Sequence, residues 1–506
     1  MEFDALKDLV RIITRHKAKK IDLIGGGAKS GDLADQLYDS ISKGKVNSDT
    51  EAVRHFFGTT NTKDPAYRKV KVRLARQLIN TSFFIDVDQP MFSDRQRAMS
   101  NCYRDFAAAY LLMQRNDAKK VGLWLLEQVL EQSIKFDFVE LTADVTRTLR
   151  MQYARTIGDS EMHAMYVELN RKYEALHRAE MMGSDYYEDL IRYYMGQRSP
   201  NAEIHALASR YYQELLPLAE QVDLSSFYYY TYQIGIIMCL SVNDSMGALE
   251  ICDVCLEKLL TKKNSTMGSL VMTSIQKVIC LIQLRIFDHR AEDAVKFCLE
   301  RVEEGVHNWF KVMETYFHYC LHAGRYEEAL QIFNRVVQNP RYELLAGSAR
   351  DEWKLYGAYL HLMAQLGVLD AAQVEAAAGP FKLSKFHSDF TIVDKDKEGL
   401  NIPRMFLPVL YRLAEGTFWD SDLSTDALDK YRQRYLNNEL NQRSDTFMRL
   451  VIALAKREFN LKASERKIEQ EMEQLRKLPL ELSRQTFAVE VIPYEDLWDM
   501  LTKNFR

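Results

Sequence analysis

Gly324-Arg325-Tyr326-Glu327-Glu328-Ala329-Leu330, followed by Phe333, Val336 and Pro340, decides the fold of this chain. Apolar and small residues fall at 326, 329, 330, 333 and 336, the three-and-four spacing of one helix face. Gly324 before the run and Pro340 after it bound the helix. A helix of this kind hides one face only. It needs a partner helix, and the resulting hairpin needs a stacked neighbour. The pattern predicts an all-α protein built as an α-solenoid of helical hairpins.

Composition points the same way. The chain has 506 residues, more than one ordinary core can organise, so two to four domains or one extended array is expected. With 21 Gly and 10 Pro it is poor in the turn residues that β-sandwiches and long linkers use. The net charge of −4 is split unevenly: residues 1–85 hold 16 Lys and Arg against 10 Asp and Glu, so a basic head precedes an acidic body. Seven cysteines without a pairing pattern, and charges spread through Met1–Leu23, predict a reduced, cytoplasmic setting with no leader peptide. The longest apolar stretch, residues 234–242, is far below the ~20 residues that span a bilayer, so no membrane partner is expected.

Four segments follow from the periodicity. Residues 1–90 form a helical, mildly basic head, residues 91–370 a hairpin array, residues 371–402 a loop or linker, and residues 403–506 C-terminal helical hairpins and a cap. In the head, Ser48 and Glu51 form a capping-box pair. Asp64-Pro65 opens a helix through Tyr67, Val70, Leu74 and Leu78. In the array, helices are expected over 95–114, from Val121 through Val129, on either side of Gly158, and over 186–195 and 204–219. Three hairpins then pair 227–240 with 248–260, 270–286 with 291–302, and 309–321 with 326–337. Each second helix carries a small residue followed by others four and seven positions on: Ala248, Cys252, Cys255; Ala294, Cys298, Arg301; Ala329, Phe333, Val336. The triples are 46 and 35 residues apart, a degenerate repeat. Trp353-x-x-Tyr356-Gly357-x-x-Leu360 opens a further hairpin.

Over residues 95–370 these hairpins resemble tetratricopeptide repeats, most specifically at Tyr326 to Pro340 and then at Trp353 to Leu360. The head (Ser48-Asp49-Thr50-Glu51-Ala52, Tyr67-Arg68-Lys69-Val70-Lys71, Phe83-Phe84-Ile85-Asp86) and the tail (Asp396 to Asn401, Ile492 to Trp498) resemble a family of uncharacterised proteins from Bacteroidetes-type bacteria. The first resemblance implies partner binding in general, and the second implies no particular activity or functional residue.

Several stretches carry possible chemistry. Gly25-Gly26-Gly27-Ala28-Lys29-Ser30-Gly31 approaches a phosphate-binding loop, but Ala28 stands where the glycine before the lysine belongs, so a turn is expected. Cys252-x-x-Cys255 has metal or redox spacing but lies mid-helix without a second pair, so two small buried hydrophobes are expected. His318 and His322 share a helix face and could add to such a site. Asp394, Asp396, Glu398 and Gly399 echo a calcium loop, but Met405 occupies the position that needs a bidentate Glu. No cofactor or metal is therefore expected.

Two surfaces remain as candidates. Tyr186, Tyr187, Tyr193, Tyr194, Tyr211, Tyr212, Tyr228, Tyr229 and Tyr230 crowd one region, and adjacent aromatics on one helix cannot all face inward. They line either a seam between hairpins or a partner groove. Arg68, Lys69, Lys71, Arg73 and Arg76 form a basic run, either a solvated face or a contact for nucleic acid. No nucleophile–base pair or carboxylate pair stands out. The expected function is a non-enzymatic cytoplasmic scaffold or adaptor that binds a protein or peptide. The alternative is a nucleic-acid-binding regulator that uses the basic head, with a partner-sensing solenoid.

Overall fold

The computed structural model describes residues 3, 7, 10, 14, 33–83, 85–90, 92–113, 119–195, 201–386, 401–415, 425–436, 441–455, 461–480 and 490–503. Among them the regular elements are all helical and no β-strand occurs, so the protein is all-α. No helix among these residues is long and apolar enough to cross a membrane. The chain forms two compact units, Met1–His177 and Arg178–Arg506.

The first unit begins with α1 (Leu33–Ser42), α2 (Asp49–Phe57) and α3 (Pro65–Ser82). Ser48 caps α2 by accepting from the Glu51 amide at 3.2 Å, while Glu51 reaches back to the Asn47 amide at 2.8 Å. This is the expected capping box with its return bond one residue early. Asp64 caps α3 by accepting from the Ala66 and Tyr67 amides. Leu37, Val53, Tyr67, Leu74 and Leu78 bury together. A second core joins α4 (Asp94–Met113), α5 (Lys119–Lys135) and α6 (Val139–Gln152) around Cys102, Leu126, Val145 and Leu149.

α7 (Ser160–Met195) is one helix of 36 residues. The separate helix expected over 186–195 is its C-terminal end, because Gly183 does not break it. A Cβ at Gly183 would sit 3.3 Å from Tyr230, so the glycine serves close packing.

In the second unit α8 (Asn201–Leu215), α9 (Ser225–Leu240), α10 (Ser245–Leu260), α11 (Met267–Gln283), α12 (His289–Leu299), α13 (His307–His322), α14 (Tyr326–Val337) and α15 (Gly347–Gln365) follow in order. Each packs on its sequence neighbours, and α11 also packs on α13. The second helices do bury a repeated triple, with one correction. Ala248, Cys252, Cys255 and Ala329, Phe333, Val336 are buried as expected, but in α12 the buried set is Ala291, Val295 and Cys298. Ala294 is only half-buried and Arg301 is exposed. The α12 register is therefore three residues earlier, and the spacings become 43 and 38 residues. Charge explains the shift: Arg301 cannot take the third core position, and Cys298 can.

α16 (Ala371–Ala378) and α17 (Leu383–Phe386) lie in the expected linker. Then come α18 (Asn401–Glu415), α19 (Thr425–Tyr431), α20 (Gln442–Ala455), α21 (Leu461–Lys477) and α22 (Tyr494–Thr502). The tail folds back: Tyr494 stacks on Phe447 at 4.4 Å and its hydroxyl lies 2.9 Å from Ser444 Oγ.

Candidate functional site

α11 and α13 run side by side in the second unit and present two unlike stripes to each other. On α11, Val271, Ile275, Ile279 and Ile282 recur at helical spacing and make an apolar wall. On α13, His307, Lys311, Glu314, His318 and His322 recur every three or four residues and make a polar one. Between them lies a cavity of about 220 Å³, closed further by Leu480 and Glu490. Met272 and His307 are exposed at its rim, whereas His318 and His322 are buried.

Almost every polar group here has a partner. Gln276 and Gln233 exchange amide hydrogen bonds at 2.7 Å in both directions. Gln283 accepts from Ser245 at 2.7 Å. Glu314 is engaged on both oxygens: Lys311 Nζ donates to Oε2 at 2.9 Å and the Tyr356 hydroxyl to Oε1 at 3.0 Å. Glu352 on α15 is buried beside Glu314. Burial, then the Glu314 charge, push its carboxyl up to about 8, so it holds its proton at neutral pH. His322 donates from Nε2 to the Glu490 carbonyl at 2.9 Å, which fixes that tautomer.

The exceptions are His322 Nδ1, which is buried without a partner, and His318. His318 is 5% exposed, and neither ring nitrogen has a hydrogen-bond partner. Its ring stands edge-on to Tyr356 at 4.9 Å. Burial, then His322 and Lys311, lower it to about 3, and burial lowers His322 to about 4, so both imidazoles are neutral at pH 7. The site thus offers one open donor and one open acceptor on His318, and a second open acceptor at His322 Nδ1. Thr315, which also lines the cavity, donates to the Lys311 carbonyl at 2.9 Å. Among the described residues no group of three or more His, Cys, Asp or Glu is arranged to hold a metal ion. A second cavity, about 720 Å³, is lined by Phe333, Trp353, Gly357 and His361. There the histidine is committed to the Gly379 carbonyl at 2.9 Å.

The tyrosines lie mostly in helix seams. Tyr186 stacks on Tyr211 at 4.0 Å, and their hydroxyls donate to Glu214 and Asp189. Tyr187 meets Tyr229 and Tyr230. Tyr212 lies against Gly235, where a Cβ would come within 2.7 Å of its ring. The Tyr228 hydroxyl donates to Asp223. Tyr193 is exposed, and the side chain of Tyr194 lies outside the described residues. Of the basic run on α3, Lys71 bonds Asp49 at 2.7 Å, while Arg68, Lys69, Arg73 and Arg76 are exposed. Cys252 and Cys255 are fully buried. A contact with Cys280 and then burial push the Cys252 thiol far up, and burial raises Cys255 to about 12. The phosphate-loop-like and calcium-loop-like stretches lie outside the described residues.

The shared face of His318 and His322 is legible in sequence. Lys311, Glu314 and Glu352 are not singled out there. Their signal is the polar stripe His307, Lys311, Glu314, His318, His322 along one face of a helix whose other faces carry Trp309, Phe310, Phe317 and Leu321 among others. Comparison with known proteins gives no match: no protein-family model, no curated protein and no solved structure matches the chain.

Proposed function

We propose that the protein is a non-enzymatic, tetratricopeptide-like scaffold or adaptor that binds a protein or peptide segment, and that the segment anchors at the α11–α13 cavity. The observation that carries this reading is His318: a buried imidazole with both nitrogens unpaired beside a mostly apolar space. Leaving buried polar atoms unpaired costs about 1–3 kcal/mol, a cost that an entering hydrogen-bonding group removes. The repeated buried triples at 248, 291 and 329 support the helical-repeat part of the reading. The tyrosine region supports it less, since most of those rings contact one another.

The test is selection of a random peptide library on the full chain, followed by binding to Ile275→Trp, which fills the cavity. Selected peptides are expected to lose at least about tenfold affinity for a variant that melts like the unaltered chain. Equal binding to both, or a folded chain that selects no peptide, ends the reading.

A second reading rests on α3. Arg68, Lys69, Arg73 and Arg76 flank Val72, itself 52% exposed, on one side of the helix. Such a stripe suits a phosphate backbone. A salt-sensitive gel shift abolished by Glu at these four positions supports it, and no shift at low salt removes it.

A further inference from the structure

We infer that the α11–α13 cavity is a specificity pocket for one tyrosine side chain of the bound segment, with His318 reading the phenol hydroxyl. This rests on the peptide-binding reading above and adds the chemistry of the anchor.

Size comes first. An engineered cavity of roughly 150 Å³ takes benzene. This one, at about 220 Å³, has room for a six-membered ring and a hydroxyl. Its α11 wall is mostly aliphatic, with Gln276 and Gln283 already hydrogen-bonded elsewhere, which suits the body of a ring.

Charge comes second. Lys311 and Glu314 already neutralise each other at 2.9 Å. An entering carboxylate or ammonium would find no spare opposite charge and would be buried alone. Charged anchors are thereby disfavoured.

Hydrogen bonding decides among the uncharged ones. A neutral imidazole carries one N–H and one bare nitrogen, and a phenol can donate to the second or accept from the first. A phenylalanine or leucine side chain would fill the space and leave both His318 nitrogens unpaired. An indole is larger and only donates. The rim admits a ring: Met272 is 41% exposed there, and its unbranched thioether can move aside.

The experiment titrates the full chain with p-cresol, toluene and p-toluate, by calorimetry or ligand-observed magnetic resonance. The same titrations are run on His318→Phe and His318→Gln. In the unaltered chain p-cresol is expected to bind about five- to tenfold tighter than toluene. No p-toluate binding is expected. His318→Phe removes the preference for p-cresol, and His318→Gln, which keeps a donor and an acceptor, restores it. Toluene binding as tightly as p-cresol, p-toluate binding more tightly, or no probe binding overturns the inference on the unaltered chain alone. A final arm separates this inference from the reading it rests on. If selected peptides bind but exchanging their Tyr for Phe changes nothing, the tyrosine pocket is wrong and peptide binding stands. If p-cresol is preferred but no tyrosine peptide binds, the peptide source is overturned and the pocket belongs to a free phenol.

Discussion

Arg443 and Glu490 meet as a buried, two-point pair, Nε to Oε1 at 2.5 Å and Nη2 to Oε2 at 3.0 Å. Arg443 also holds Glu495 at 2.6 Å and the Leu475 carbonyl at 2.6 Å. Arg285 completes the balance by reaching Glu495 at 2.7 Å. Two cations and two carboxylates thus tie the tail to α20, α21 and the end of α11. The fork of a guanidinium satisfies several acceptors at once, which an ammonium cannot do.

Removing that fork leaves buried carboxylates short of charge. Arg443→Met is expected to lower unfolding free energy by about 3–5 kcal/mol, and Arg443→Lys by less. Chemical denaturation of the full chain measures both. A loss under about 1 kcal/mol for Arg443→Met would mean the network contributes nothing specific to stability.

A close approach elsewhere predicts damage by addition instead of removal. A Cβ at Gly357 would lie 3.0 Å from Phe333, inside the cluster of Phe317, Trp353 and Tyr356. Gly357→Leu is expected to destabilise by about 1–3 kcal/mol through overpacking. Phe333→Ala, at a buried position, is expected to cost about 3–5 kcal/mol through the void it leaves. Thermal melts check both. An unchanged melt for Gly357→Leu contradicts the packing described.

How much of this could be read in the chain depends on the range of the interactions. Local signals carry well: Ser48, Asp64 and Gly324, with φ of 72°, mark the helix ends where their caps and turns require them. The hairpins from 227 to 337 follow from periodicity alone. The register of α12 is harder to read, because Ala291 and Ala294 are both small and the charge of Arg301 is the local sign that favours Ala291. The tyrosine doublets leave a helix seam and a partner groove open in sequence, and only the fold places Tyr186 on Tyr211 with their hydroxyls on Glu214 and Asp189. For the site, His318 and His322 share a face by spacing. Nothing local announces that Glu352, 38 residues beyond Glu314, would be buried against it.

The cysteines give a sharp chemical expectation. All seven are free and buried, and burial raises Cys102, Cys239 and Cys298 to about 11. Thiols are poor nucleophiles when protonated and unreachable. A chromogenic disulfide reagent is expected to find essentially no fast-reacting thiol in the native chain and all seven in denaturant. A native burst from Cys252 and Cys255 would reopen a redox role for that pair.

Stability should also respond to pH around the cavity, with opposite signs from Glu352, buried behind Glu314, and from the two histidines that line it. Glu352 is raised from the usual 4.5 to about 8, so the folded chain holds a proton there that the unfolded chain has released. Its contribution is complete below about pH 4.5 and is lost as pH rises through about 8. His318 and His322 are lowered from 6.5 to about 3 and about 4, so their contribution is complete above pH 6.5 and is lost as pH falls. The two effects oppose each other between 4.5 and 6.5, and above 6.5 only Glu352 of the three still titrates. The two histidines are common to both chains and cancel, so the difference in unfolding free energy between the unaltered chain and Glu352→Gln should change most between about pH 4.5 and 8. The unaltered chain should lose at most about 1.4 kcal/mol per pH unit relative to the variant. Below pH 6, His318→Phe should soften the acid loss. Parallel pH profiles for the unaltered chain and Glu352→Gln would show that Glu352 is ionised in the native state, and that Glu314 does not face a protonated neighbour.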